Sequence, residues 1–493
     1  MLPIFGSRKS LCSGVTRRDL LHIGAAGAFA PLLPDALRAE SEAKNSGSAK
    51  AKATIFLFLF GSPPQHETFD PKPEAGAEIQ GEMGAIQTSL PGLSIGEGLP
   101  QTAKIADRLT VVRSMTHPYP IHCCAYVMTG MPKYGIPLET QPRHRDHWPF
   151  MGSVVDYLDT QRSGTRMPAV PRNIGLPWRF CSRGSSSTQA GPYGAFLGNG
   201  FDPFWTDFVG DGTTVVPKLT AGQGEKVLDP HAGIKPDGRF QVPGCQLPDD
   251  VSSDRLDSRR HLLRQFDNSL SQLKRSRAWT NWNEHQQNAF SLIGSNGVRA
   301  ALDLQKEPAS LRERYGMTLF GQSCLAARRL VEAGARFVTV FWDPFGPHGA
   351  SVWDTHSNHF PRLKNYLLPV FDQSYSALIT DLDDRGLLDE TMVLCTSEHG
   401  RTPKIRDIEG GGRDHWSRTY SSVFAGGGFA RGRVVGRSDA IGGDVAETPI
   451  SPKDMQATAF HLLGFPNTAT VPNQIARPHP IAGDGQVRNE LLG

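Results

Sequence analysis

The run "TIFLFLFG", Thr54 to Gly61, constrains this chain more than any other segment. Its apolar residues are continuous, and a glycine and two prolines follow closely. A half-solvated strand alternates apolar and polar residues; an unbroken apolar run of this length reads as a central strand buried on both faces. A sheet of such strands needs helices on both faces to cover it. The rest of the chain supplies them in alternation. Strand-like runs recur at "RLTVVRSM" (Arg108–Met115), "ARFVTVFW" (Ala335–Trp342), "MVLCT" (Met392–Thr396) and "SSVFAGGG" (Ser421–Gly428). Helical patterns precede or follow them: "LPQTAKIA", "LFGQSCLAARRLVEAG" with Gly334 suited to its C-terminal cap, and "RLKNYLLPVFDQSYSALITDLDDRG", which Pro369 should bend or interrupt. The pattern predicts an α/β domain over 54–484 with a mostly parallel central sheet and helices on both faces. Residues from about 160 to 300 break the rhythm with Gly, Pro, Ser and charge around a helix-like Ser252–Ser276, and are expected to form an insertion or cap. A short tail, 485–493, follows the domain.

The N-terminus addresses the compartment. Arg17 and Arg18 stand directly before a modest apolar stretch, Leu20 to Leu33, with small residues at Ala39 and Ala43. This is the pattern of a twin-arginine export signal over 1–43, followed by a polar linker over 44–53. The stretch is too short and too rich in Gly and Ala for a membrane span. The expectation is therefore a periplasmic or secreted protein with no span after signal removal. A formal charge of +3 over 493 residues, with no long Lys/Arg run, argues against a nucleic-acid partner. No C-x-x-C pair occurs among the seven cysteines, which removes the usual zinc-ribbon and thioredoxin-type sites. Cys324 and Cys395 lie within apolar patterns and are expected in the core.

Ligands of open α/β sheets bind outside the carboxyl ends of the strands. The loops at those ends carry a recurring chemistry. His66, Glu67 and Asp70 follow the first strand, and His117, His122 and Cys123 the second. Asp343, His348, Asp354, His356 and His359 follow the third; Glu398 and His399, then Asp414 and His415, follow the fourth. Carboxylates and imidazoles are the ligands of Zn, Mn, Mg or Ca in different mixtures. A pair of such ions clamps both oxygens of a phosphoryl or sulfuryl displacement. Glu67, Asp70, Asp354, His356, His359, Glu398, His399, Asp414 and His415 are thus candidate ligands of divalent ions. Taken singly, each is also an ordinary loop residue.

Longer motifs add a resemblance. "ETFDPKP", "LTVVRSMTH", "YVMTG", "FGQSCLAARRLVEAGARFVTV", "WDTHSNHFPRLKN", "LLDETMVLCTSEHGRTP", "GRDHW" and "TPISPKDMQATAFHLLG" span most of Thr54 to Gly464. With them the chain resembles the bacterial domain-of-unknown-function family 1501, which is placed with the alkaline phosphatase and sulfatase superfamily. That implies an alkaline phosphatase-like fold and metal ligands at Glu67 or Asp70, Asp354 with His356 or His359, Glu398 with His399, and His415. It also implies a nucleophile near Pro120. No C-x-P-x-R stands there, which argues against formylglycine chemistry. His122 and Cys123, slightly further on, are the candidate catalytic groups, a thiolate at a helix N-terminus being activated. Arg113 and Arg401 are candidates to hold an anionic oxygen. The expected function is an exported metal-dependent hydrolase of a phosphate or sulfate ester, small or polysaccharide. The rival is a non-catalytic binding or scaffold protein with a degenerate site, suited to a sulfated polysaccharide.

Overall fold

The computed structural model describes residues 49–131, 135–163, 168, 170–183, 189–217, 226–243, 296–343 and 352–493. The expected export signal, half of the linker, His348, Cys245 and the helix-like stretch Ser252–Ser276 lie outside them.

Eight strands form the central sheet: β1 (Ala53–Leu59), β2 (Leu109–Met115), β3 (Asn173–Leu176), β4 (Phe204–Trp205), β5 (Phe337–Trp342), β6 (Thr391–Thr396), β7 (Tyr420–Ala425) and β8 (Arg433–Val435). Their spatial order is β8-β2-β7-β6-β1-β5-β3-β4. Strand β1 lies between β5 and β6 and is parallel to both. Only β7 runs antiparallel to its neighbours, so the sheet is mostly parallel.

The unbroken apolar run of β1 now has its explanation, because alternate side chains feed two different cores. Ile55, Leu57 and Leu59 point into one core, shared with α3 (Leu319–Glu332) and α4 (Leu368–Asp384). Phe56, Phe58 and Phe60 point into the other, shared with α1 (Cys124–Thr129), α2 (Met151–Ser163) and α5 (Pro452–Leu462). Phe56 and Phe58 are fully buried, and burying each contributes about 1.5–3 kcal/mol. A polar residue at either parity of this strand would face apolar side chains.

Two local expectations meet particular solutions. Gly334 takes φ +103° just beyond the α3 cap, a conformation that suits glycine. Pro369 causes no break. A π-helical turn, Leu363–Leu367, precedes α4, and Pro369 then falls in the first turn of the α-helical segment. A missing N–H is tolerated in a first turn. The stretch expected to be an insertion also contributes to the sheet, since β3 and β4 come from it and extend its edge beyond β5. Their shortness hid them, as four and two residues carry no periodicity. Cys324 and Cys395 are buried in the core. No helix among the described residues is long and apolar enough to cross a membrane.

Candidate metal centre

The chain exits β1 at Gly61, turns with φ +95°, and packs against the loop after β5. A Cβ on Gly61 would stand 2.4 Å from the backbone nitrogen of Asp354, so no larger residue permits this approach. The Gly61 amide donates to Glu398 Oε1 at 2.8 Å. Three strand-exit loops are thereby joined within one short turn. A two-residue ladder of Gly400–Arg401 with His415–Trp416 then folds the loop after β6 back over the same place.

This convergence brings four imidazoles together. Ring centroids lie 4.4 Å apart for His122 and His415, 4.5 Å for His399 and His415, and 4.6 Å for His356 and His415. Two donor triads result: His122, His399 and His415, and Asp354, His356 and His415. Within each, one ligand atom per residue lies within 4.8 Å of the others. Asp354 sits at the centre. Its Oδ1 is 3.1 Å from His356 Nε2 and 3.2 Å from His415 Nε2, and its Oδ2 is 3.5 Å from His122 Nε2. These imidazoles, with the Arg401 guanidinium, hold the Asp354 carboxyl far below the usual carboxylate range against the opposing effect of burial.

The floor of the cluster is dry and its rim is open. His399 and Glu398 are 0% exposed, whereas the side chains of His356 and Asp414 are 38% and 52% exposed. His399 Nδ1 donates to the Gly400 carbonyl at 2.8 Å, which leaves the lone pair on Nε2, and that atom is buried with no hydrogen-bond partner. Burial, then Arg401 and the neighbouring imidazoles, keep this ring neutral. Glu398 Oε1 accepts from Gly61 and pairs with His122 Nδ1 at 2.7 Å, while Oε2 is buried and unpartnered. Buried polar atoms without partners are uncommon and costly. A neutral Nε2 and a carboxylate oxygen left this way suit a cation. Burial opposes charge on His122, but its bonds to Asp354 and Glu398 more than offset this and raise it to about 9.

The remaining candidates are held elsewhere. Glu67 accepts from Arg413 Nη2 at 2.5 Å, and its other oxygen stands 3.3 Å from His359 Nε2. All three are buried, so Glu67 and His359 belong to an internal ion cluster rather than to either triad. Asp70 takes Lys72 at 3.0 Å, Arg113 at 3.5 Å and the Ser438 hydroxyl. Arg113 donates through Nε, the atom nearest Asp70, to the Phe69 carbonyl and through Nη2 to the Ser94 carbonyl, each at 2.7 Å. Neither residue belongs to a donor triad. Asp414 also lies outside the triads: its Oδ1 is 2.6 Å from His356 Nδ1, so it orients that ring. Arg401 binds Asp354 Oδ1 at 2.5 Å, the carbonyls of Ser62 and Arg413 at 3.2 Å, and the Gly61 carbonyl. With every nitrogen occupied, it clamps Asp354 rather than offering donors to an anion.

Cys123 is the N-cap of α1, yet its thiol is fully buried and donates to the Glu398 carbonyl at 3.2 Å. Burial, then the charges of Glu139 and Glu398, push its ionisation far up. Burial outweighs the helix-terminus activation expected from sequence, and the Ala125 amide of that terminus is already taken by Glu139 at 3.0 Å. Cys123 in the folded protein should therefore resist alkylation by iodoacetamide at pH 8 and react only on unfolding, read by mass spectrometry of peptides labelled before and after denaturation. Rapid labelling of the native chain would restore the thiol as a nucleophile. Cys124 and Cys181 are likewise buried free thiols.

Two supporting residues were given no role by the sequence: His117, noted only as a strand-exit imidazole, and Arg413. His117 donates from Nε2 to the Glu398 carbonyl at 2.7 Å while its Nδ1 accepts the Tyr119 amide. Arg413 carries the ion cluster described above. The only signal for Arg413 was its place in "GRDHW", beside two candidate ligands, and sequence cannot distinguish a buried guanidinium from a solvated one.

Ps i-CgsB is 11% identical, covering 84% of this chain and 72% of its own, with a TM-score of 0.38. The PsFucS1 sulfatase from Pseudoalteromonas sp. is 12% identical, covering 91% and 77%, with a TM-score of 0.37. The phosphonate monoester hydrolase SpPMH from Silicibacter pomeroyi is 11% identical, covering 88% and 75%, with a TM-score of 0.34. Likeness at this level carries no argument about the chemistry of this chain. No curated protein matches it. The model of one family, described as "Protein of unknown function (DUF1501)", matches residues 51–492, and the chain belongs to that family.

Proposed function

We propose that this protein is an exported, metal-dependent hydrolase of a phosphate or sulfate ester. One observation carries the reading. Four imidazoles and a carboxylate from three separate strand-exit loops converge beside a buried, unpartnered His399 Nε2. His122, His356, His399, His415 and Asp354 would hold the ion, with Glu398 Oε2 in reserve. When bound, a divalent cation supplies Lewis acidity there, neutralising charge on an ester oxygen. The chain's own groups do the rest. Arg401 fixes the Asp354 carboxylate, Asp414 sets the His356 ring, and Glu398 sets the His122 ring. The exposed side, His356 and Asp414, leaves room for an ester to approach, and the buried side excludes water behind it. Water rather than Cys123 serves as the nucleophile, since that thiol keeps its proton. The twin-arginine N-terminus supports an export route.

The test is turnover of a panel of aryl phosphates, phosphonates and sulfates by the purified chain, before and after chelation and re-addition of divalent ions. Metal-dependent release of the aryl alcohol is expected for at least one ester class. An ion-loaded protein that turns over none of them, yet retains a sulfated polysaccharide on a column, would make it a binding protein.

A further inference from the structure

The donor set bears on which ion is held, a question that rests on the metal-centre reading above but goes beyond it. A hard cation needs oxygen: calcium takes 6–8 oxygen ligands, and magnesium demands a near-octahedral oxygen shell. The loops of this chain carry enough carboxylates to build such a shell, but the tertiary structure withdraws most of them. Glu67 is neutralised by Arg413 and paired with His359. Asp70 is consumed by Lys72, Arg113 and Ser438. Asp414 is spent on His356 Nδ1. Asp343 lies buried under the indole N–H of Trp178, at 2.5 Å, and the Cys181 amide, at 2.9 Å. Among the described residues, the two donor triads join one carboxylate, Asp354, to four imidazoles, and Glu398 lies next to them through His122.

The imidazoles are also set up as ligands by the hydrogen bonds on their far nitrogens. His399 has Nδ1 on Gly400, His356 has Nδ1 on Asp414, and His122 has Nδ1 on Glu398. In all three, Nε2 is the atom left for the cluster. A carboxylate or carbonyl on the far nitrogen fixes the tautomer and raises ligand basicity, as the outer shell of nitrogen-ligated metals does. From this partition of donors we infer that the centre is selective for a first-row transition ion of the zinc or cobalt type, and that Asp414 is an outer positioning residue rather than a ligand. Calcium and magnesium are poor occupants, because imidazole suits the later transition ions and cannot replace the missing oxygens.

The experiment uses the full chain, stripped by chelation and titrated separately with Co(II), Zn(II), Ca(II) and Mg(II), with affinity read calorimetrically and by competition. Zn(II) and Co(II) should bind at least about 100-fold more tightly than Ca(II) or Mg(II). The Co(II) adduct should show visible ligand-field absorption of a nitrogen-rich site. His356→Ala, at a partly exposed position where folding is not at stake, should weaken Co(II) at least about tenfold. Asp414→Asn should weaken it by roughly 10- to 100-fold while leaving the Co(II) band pattern and the ligand count in place. Calcium or magnesium binding as tightly as zinc, no ion bound at all, or unchanged Co(II) affinity in His356→Ala would each overturn the inference. Loss of a ligand from the Asp414→Asn spectrum would overturn the role given to Asp414. A chain that binds zinc tightly but hydrolyses no ester keeps this inference and removes the hydrolase reading. One that hydrolyses esters only with calcium does the reverse.

Discussion

Replacing His399 by leucine is expected to lower ester turnover at least about a hundredfold, the loss that follows removal of a metal or a key transition-state contact. The same change should leave the metal-free protein within about 1 kcal/mol of its original stability, because two opposing terms nearly cancel. Leucine removes the hydrogen bond from Nδ1 to the Gly400 carbonyl, which is worth about 1 kcal/mol. It also removes a buried Nε2 that has no partner, a liability of about 1–3 kcal/mol. An ordinary core histidine behaves in the opposite way, since its loss lowers stability and leaves activity indirectly affected. The measurements are urea unfolding of the stripped protein, bound ion per chain, and turnover. A variant several kcal/mol less stable in the stripped form, with full ion content and near-normal turnover, would make His399 a packing residue and remove the floor of the proposed site.

The largest effect on stability should come from Arg413→Met. Arg413 is fully buried and donates to Glu67 and to the carbonyls of Ile79, Thr402 and Pro403. Methionine fills most of the volume but leaves the Glu67 carboxylate without its main counter-charge. Breaking a buried pair from one side costs about 3–5 kcal/mol, a large share of the 5–15 kcal/mol that holds a typical domain together. The orphaned carbonyls add to that cost. The second change, Glu67→Leu on top of Arg413→Met, should recover part of the loss, because both charges are then gone; a double-mutant cycle measures the coupling. Denaturant unfolding of the four proteins gives the answer. A single variant within 1 kcal/mol of the parent would show that the cluster does not join the loops after β1, β5 and β6. Glu67→Gln is a sharper probe of the ligand role implied by sequence. If Glu67 only joins loops, the folded fraction of that variant keeps its full ion content.

Both predictions concern residues that look alike in the sequence. Glu67, Asp70, Asp354, Glu398 and Asp414 are all carboxylates on strand-exit loops, and nothing local separates them. In the fold they take four different roles: internal ion pair for Glu67 and Asp70, cluster centre for Asp354, a brace for His122 with one free oxygen for Glu398, and orienter for Asp414. The differences arise from arginines. Arg413 and Arg113 occupy the first two, and Arg401 clamps the third. A guanidinium selects its partner by three-dimensional reach, so its choice among five similar acids is not written in their spacing.

What the sequence determined by itself is the sheet and the edge at which chemistry can occur. The apolar run of β1 admits only a strand with core on both faces, and the parallel strands beside it leave their loops on one edge, because burial and side-chain period are local properties of the chain. Tertiary structure alone decided which imidazoles meet, which acids stay free and that the thiol of Cys123 keeps its proton. Those outcomes depend on hydrogen bonds and ion pairs between residues hundreds of positions apart, such as Gly61 with Glu398 and Glu67 with Arg413, whose energies follow distance in space rather than distance along the chain.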